Sequence, residues 1–137
     1  MTTKDPSDDV YWVELGFLPV EVGYVPNARA WDAALVRLKV EPIPYPTTDA
    51  RCIWWDRAKG EEKNVILRVI GSRCKDYSVS QVAGLIAHEC QHAWRHIKKI
   101  TGEKKPSSEF EAYVLQALVQ GVMFAHGKKR RTPWRKQ

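Results

Sequence analysis

The stretch from Ser78 to Gly102, SVSQVAGLIAHECQHAWRHIKKITG, limits the fold more than any other part of the sequence. Apolar residues recur at helical spacing between a serine suited to a helix start and a glycine suited to its end. A helix from Ser78 or Ser80 to about Ile100 is predicted. At about 100° per residue, with His88 set at zero, Val82, Ala83, Ile86, Cys90, Ala93, Trp94 and Ile97 fall between about 120° and 240°. His92 falls near 40° and Glu89 near 100° in the same frame. One face is expected in a core, with Cys90 a packed thiol. The opposite face presents His88 and His92 to a cleft, with Glu89 on its flank.

The elements around this helix set the fold class. VEVGY (20–24) alternates as a strand does, with Pro19 at an interruption or an edge. Asn27 is placed to cap a helix reaching about Lys39, in which Trp31, Ala34, Leu35 and Leu38 share a face. Prolines at 42, 44 and 46 make an extended connector. CIWWD (52–56) and NVILRVIG (64–71) read as two strands of a hairpin joined by a charged loop. A last helix starts at Ser107 or Ser108 and stops at His126 and Gly127. The order is strands, helix, hairpin, helix, helix, which predicts an α+β domain. At 137 residues, 44% of them apolar, one core is expected, over residues 10–127, after a flexible lead-in (1–9).

Within the long helix, HECQH (88–92) has the H-E-x-x-H spacing. Residues four apart lie one above the other, so both imidazoles reach one ion, and the glutamate beside the first can hydrogen-bond a metal-bound water. A catalytic zinc takes three protein ligands and one water. His96 is two turns from His88, roughly 12 Å along the axis, too far to share its ion. His126 suits the end of the last helix, where a cation meets the dipole. Glu109 and Glu111, in SSEFEAY (107–113), remain.

HECQHAW together with SSEFEAYVLQ resembles the gluzincin branch of the zincin metallopeptidases, and more closely the short metallopeptidases of phage and prophage type. The resemblance covers about residues 79–120. It implies a small zincin-like fold, Zn2+ held by His88, His92 and a glutamate, and Glu89 as the general base of a peptidase acting on a peptide or protein. In that family's N-E-x-F-A type segment Glu109 takes the ligand's place. Glu111 fits the separation from the second histidine slightly better, but stands three residues after Ser108, where a capping box would use it. Glu109 is therefore preferred and Glu111 kept as its rival. The resemblance also makes the 52–70 hairpin the candidate for pairing with an extended peptide. Trp54 and Trp55 fit a core-plus-rim pair or a subsite wall.

Charge points to a second kind of partner. Of 22 basic residues, six (Lys128, Lys129, Arg130, Arg131, Arg135, Lys136) stand in the last ten positions, leaving 16 against 16 acids elsewhere. A neutral body with a basic tail (128–137) suits nucleic acid, with Trp134 available to stack on a base. The alternative function is thus a non-catalytic, nucleic-acid-associated protein on a degenerate zincin fold. No apolar run approaches the ~20 residues of a membrane span, so no membrane partner is expected. Cysteines 52, 74 and 90 show no paired spacing, and the N-terminus has no apolar signal region. Reduced thiols and a cytoplasmic setting are expected.

Overall fold

In the computed structural model, residues 5–13, 15–16, 18, 20–55, 64–70 and 76–129 are described, residues 64–70 as backbone only. Strands β1 (Tyr11–Val13), β2 (Val20–Val25), β3 (Ala50–Trp55) and β4 (Asn64–Ile70) form one sheet in the order β1-β2-β4-β3. Helices α1 (Ala28–Leu38), α2 (Val79–Thr101) and α3 (Ser108–Lys129) complete an α+β domain. The expected order of elements holds. Pro19, Cys74, the connection between the hairpin strands and the tail from residue 130 lie outside the described residues.

The sheet is mixed. β1 runs antiparallel to β2 and β3 antiparallel to β4, while the central pair β2–β4 is parallel, Val20 opposite Asn64 and Val25 opposite Val69. Alternation along the strands divides the core in two. Val20, Val22 and Tyr24 of β2 and Cys52 of β3 face α2 and α3, where Val82, Ile86, Cys90, Ala93, Trp94, Ile97, Val114, Leu118, Val122 and Ala125 join them. Val25, with partly buried Ile53 and Trp55, faces Ala30, Trp31, Ala34 and Leu35 of α1 on the other side. α2 lies over β3 and β4, and α3 over β1 and β2. The sheet is thus sandwiched, and each half of the α2–α3 face has its own helix.

Local chemistry fixes the ends of α1 and α2. The Asn27 side chain accepts from the Ala30 amide at 2.8 Å, as its N-cap role predicts. Trp31 donates from its indole to the Ile43 carbonyl and pins the proline connector to α1. Ser78 and Gln81 form a reciprocal capping box at the start of α2, and Gly102 ends it in the left-handed region at φ 73°. Tyr77 donates to Asp49, tying that start to the foot of β3.

Two boundaries differ from expectation. The lead-in is structured from Asp5 onward: Pro6–Asp9 is a 3-10 turn capped by Asp5, Ser7 is buried, and Arg37 reaches both Ser7 and Asp8. Hydrogen bonds from Ser7 hold the Asp5 carboxyl below its ordinary value. The last helix does not stop at His126 and Gly127 but continues to Lys129, so the first two tail lysines extend it.

Candidate metal centre

The predicted division of α2 is present in space. Val82, Ile86, Cys90, Ala93, Trp94 and Ile97 are buried, Ala83 is half-buried, and His88 and His92 are exposed on the opposite side. The Nε2 atoms of His88 and His92 stand 3.2 Å apart, with ring centroids at 4.9 Å and planes at 73°. Two nitrogens bound to one tetrahedral zinc at 2.0–2.1 Å lie about 3.3 Å apart. The pair therefore presents two nitrogens at the separation one ion needs.

Glu89 is more enclosed than its flank position suggested. It retains 7% of its exposure and, among the described residues, is the one buried acidic side chain. Burying a carboxylate is costly unless a positive charge or donors compensate it. That cost falls beside the two converging imidazoles, where a bound cation and its water would offset it.

Glu109 and Glu111 are separated by how α3 begins. The Ser107 hydroxyl accepts from the Phe110 amide at 3.2 Å, and the Ser107 carbonyl from the Glu111 amide at 3.0 Å. Ser107, not Ser108, is therefore the N-cap, which corrects the expected register. Phe110 becomes N3, and the capping-box role foreseen for Glu111 has no place there. Glu109, at N2, instead has the ordinary role of an acid in the first turn, favoured by the helix dipole. With Glu109 at zero on α3, the buried Val114, Leu118, Val122 and Ala125 lie between about 140° and 220°, and Glu111 near 200°. Glu111 is half-buried on the packed side of α3, whereas Glu109 is exposed on the outer side. Phe110 packs on Trp94 of α2 with centroids 6.0 Å apart, which brings this end of α3 against α2. Among the described residues no three His, Cys, Asp or Glu side chains approach closely enough to hold a metal ion together.

The other histidines have separate settings. His96 lies against Trp54 of β3, ring centroids 4.5 Å apart and planes at 37°. Among the described strands β3 lies at the edge of the sheet, so Trp54, 48% exposed, stands beside that edge on the α2 side. Trp55 points the other way and packs on Trp31. The adjacent tryptophans thus serve opposite faces, and only Trp54 is near the histidine row. Strand alternation and the i+4 step from His92 to His96 contained this pairing, but nothing in the sequence set β3 under that part of α2. His126 is not a solvated residue at a helix end. It is buried, and its Nδ1 shares a 2.9 Å hydrogen bond with the Tyr24 hydroxyl.

Cys52 and Cys90 are buried, and Cys90 packs as expected. No helix among the described residues is long and apolar enough to cross a membrane. No protein-family model, curated protein or solved structure matches the chain.

Proposed function

We propose that this chain is a zinc-dependent peptidase, with Zn2+ held by His88 and His92 and with Glu89 as general base. The observation that carries this reading is the buried Glu89 carboxylate beside two exposed imidazoles whose Nε2 atoms converge to 3.2 Å. Burial of a carboxylate beside the two histidines carries a cost that a bound cation would offset. The resemblance of residues 79–120 to gluzincins supports the same reading.

The third ligand is Glu109 or Glu111. The packed side of α3 favours Glu111, and the family segment favours Glu109. Zinc held there would supply Lewis acidity, toward a water near neutral pH and toward a carbonyl. Glu89 takes the proton of the attacking water and passes it to the departing nitrogen. The outer edge of β3, last among the described strands, is suited to pair with an extended peptide, and Trp54 to wall a subsite beside it. Three cysteines without paired spacing in the sequence fit a reducing, cytoplasmic setting.

The decisive experiment is elemental analysis of purified wild type, His92→Ala, Glu109→Ala, Glu111→Ala and Glu89→Gln, paired with cleavage of a broad peptide library. Stoichiometric zinc in wild type, its loss in His92→Ala and in one glutamate variant, and a zinc-loaded but inactive Glu89→Gln are expected. Wild type that binds no zinc after reconstitution, or binds it and cleaves nothing, overturns the reading.

A further inference from the structure

The exposed side of α3 is shaped by two rows of residues at i, i+4 spacing. In the angular frame of α3, Glu109, Tyr113 and Ala117 fall near 0°, 40° and 80°, and Gln120, Phe124 and Lys128 near 20°, 60° and 100°. Ala117 is half-buried and the other five are exposed, Tyr113 at 65% and Phe124 at 56%. Among the described side chains exposed on α3, charge stands only toward the two ends, at Glu109 and at Lys128. Lys104 and Lys105 belong to the connection before α3 and to neither row. Tyr11 of β1 braces the Phe124 ring at 5.6 Å with planes at 58°, and the Lys128 ammonium stands 5.6 Å from its centroid.

We propose that this strip is the interface of a homodimer in which α3 packs antiparallel on α3 of a second copy. Three pairs share one centre, midway between Leu118 and Val119: Glu109 with Lys128, Tyr113 with Phe124, and Ala117 with Gln120. A two-fold axis through that point sets each row beside the other row of the second copy. Tyr113 then meets the partner's Phe124, and Glu109 the partner's Lys128. Each contact occurs twice, as an isologous interface requires. Packing of i±4 rows on i±4 rows is the commonest class of helix crossing, and the small Ala117 at its centre permits close approach. The aromatic pairs supply the apolar burial, and the ion pairs fix the direction. A parallel arrangement would set Glu109 against Glu109 and Lys128 against Lys128.

The shared centre selects a second copy over other occupants. A foreign helix would cover the two rings without any reason for opposite charges to stand at equal distances beyond them. A lipid surface needs a continuous apolar face with cations beside it, whereas Gln116 and Gln120 stand between these rings and an acid closes one end. At their observed exposures the two rings offer roughly 250 Å² per copy, well under the ~800 Å² a side of a standard interface. A reversible dimer follows rather than a permanent one. Engaging Glu109 here leaves Glu111 as the third ligand of the proposed zinc centre, but the association itself does not depend on that centre.

The test is sedimentation equilibrium of the full-length chain from about 1 µM to about 500 µM, the range suited to so small an interface. A monomer–dimer equilibrium is expected, unchanged by chelator, which keeps this result separate from that for the zinc centre. Phe124→Ala should weaken it at least about ten-fold, with an unchanged melting temperature at the lowest concentration. Glu109→Lys and Lys128→Glu should each weaken it, and the double variant, in which opposite charges face each other again, should recover wild-type affinity. Lys128→Glu lowers a net charge of +6, so a general charge effect would strengthen association where pairing predicts the reverse. A chain monomeric throughout the range, whether or not it adheres to anionic vesicles or oligonucleotides, overturns the proposal. A dimer indifferent to Phe124→Ala, or a double variant no stronger than the single ones, overturns it too.

Discussion

α2 and α3 are of nearly equal length, are joined by six residues, and cover the same face of one sheet, yet they distribute their residues differently. α2 divides sharply: its apolar stripe is buried and its polar side holds the histidine pair. α3 is apolar on nearly every side, and Tyr113 and Phe124 remain exposed where α2 would carry charge. The difference concerns what exposure means. On α2 a polar residue outside is ordinary and the informative residue is buried Glu89. On α3 an apolar residue inside is ordinary and the informative ones are exposed Tyr113 and Phe124.

The largest effect should come from the joint between the helices. Trp94→Ala removes a fully buried side chain that packs on Phe110 of α3. A loss of about 3–5 kcal/mol in urea unfolding is expected. A loss below about 1 kcal/mol would mean that α3 does not depend on α2 for its seat.

Next is the polar side of α2. Zinc at about a hundred times its dissociation constant should stabilise wild type by about 2.7 kcal/mol and His92→Ala not at all. Without zinc the two proteins should agree within about 0.5 kcal/mol, because the His92 side chain is exposed. A large metal-free difference would make the pair structural and end the contrast between the faces of α2.

Gly121→Ala probes the packed side of α3. A Cβ there would stand 2.5 Å from Val13 Cγ1, and a β-branched side chain has little freedom to yield. Overpacking outweighs the helix-propensity gain, for a net cost of about 1 kcal/mol by thermal unfolding. A stabilised variant would show that β1 moves freely under α3.

The smallest effect compares the caps. Ser78 is buried in a two-way capping box, whereas Ser107 is exposed and gives one side-chain hydrogen bond. Ser78→Ala should cost about 1 kcal/mol and Ser107→Ala about half as much. Equal costs in denaturant melts would show that the second bond of the box contributes nothing.

The same contrast explains what could be read from the sequence. α2 was legible because a long period between a serine and a glycine fixes both its limits and its faces. The His88–His92 pair and the packed Cys90 followed from that geometry alone. α3, apolar on most sides, offers no period from which to set a register. Taking Ser108 as the cap turned Glu111 into a capping residue, and ending the helix at His126 hid the burial of that histidine. The turn at Pro6–Asp9 was missed because four polar residues carry no periodicity, and what orders them, Arg37, comes from a distant helix. The parallel pairing of β2 with β4 was equally invisible, since alternation tells a strand its faces but not its neighbour.

That central pairing also orders events in time. Residues 20–25 meet residues 64–70 only after the chain has travelled through α1 and β3, so a large loop must close before any of these bonds form. The histidine pair needs only one turn of one helix, and the α2–α3 hairpin only six connecting residues. On refolding, protection of α2 amides is expected to precede that of β2 and β4. The histidine pair of α2 would then be assembled before the sheet that brings Trp54 against His96.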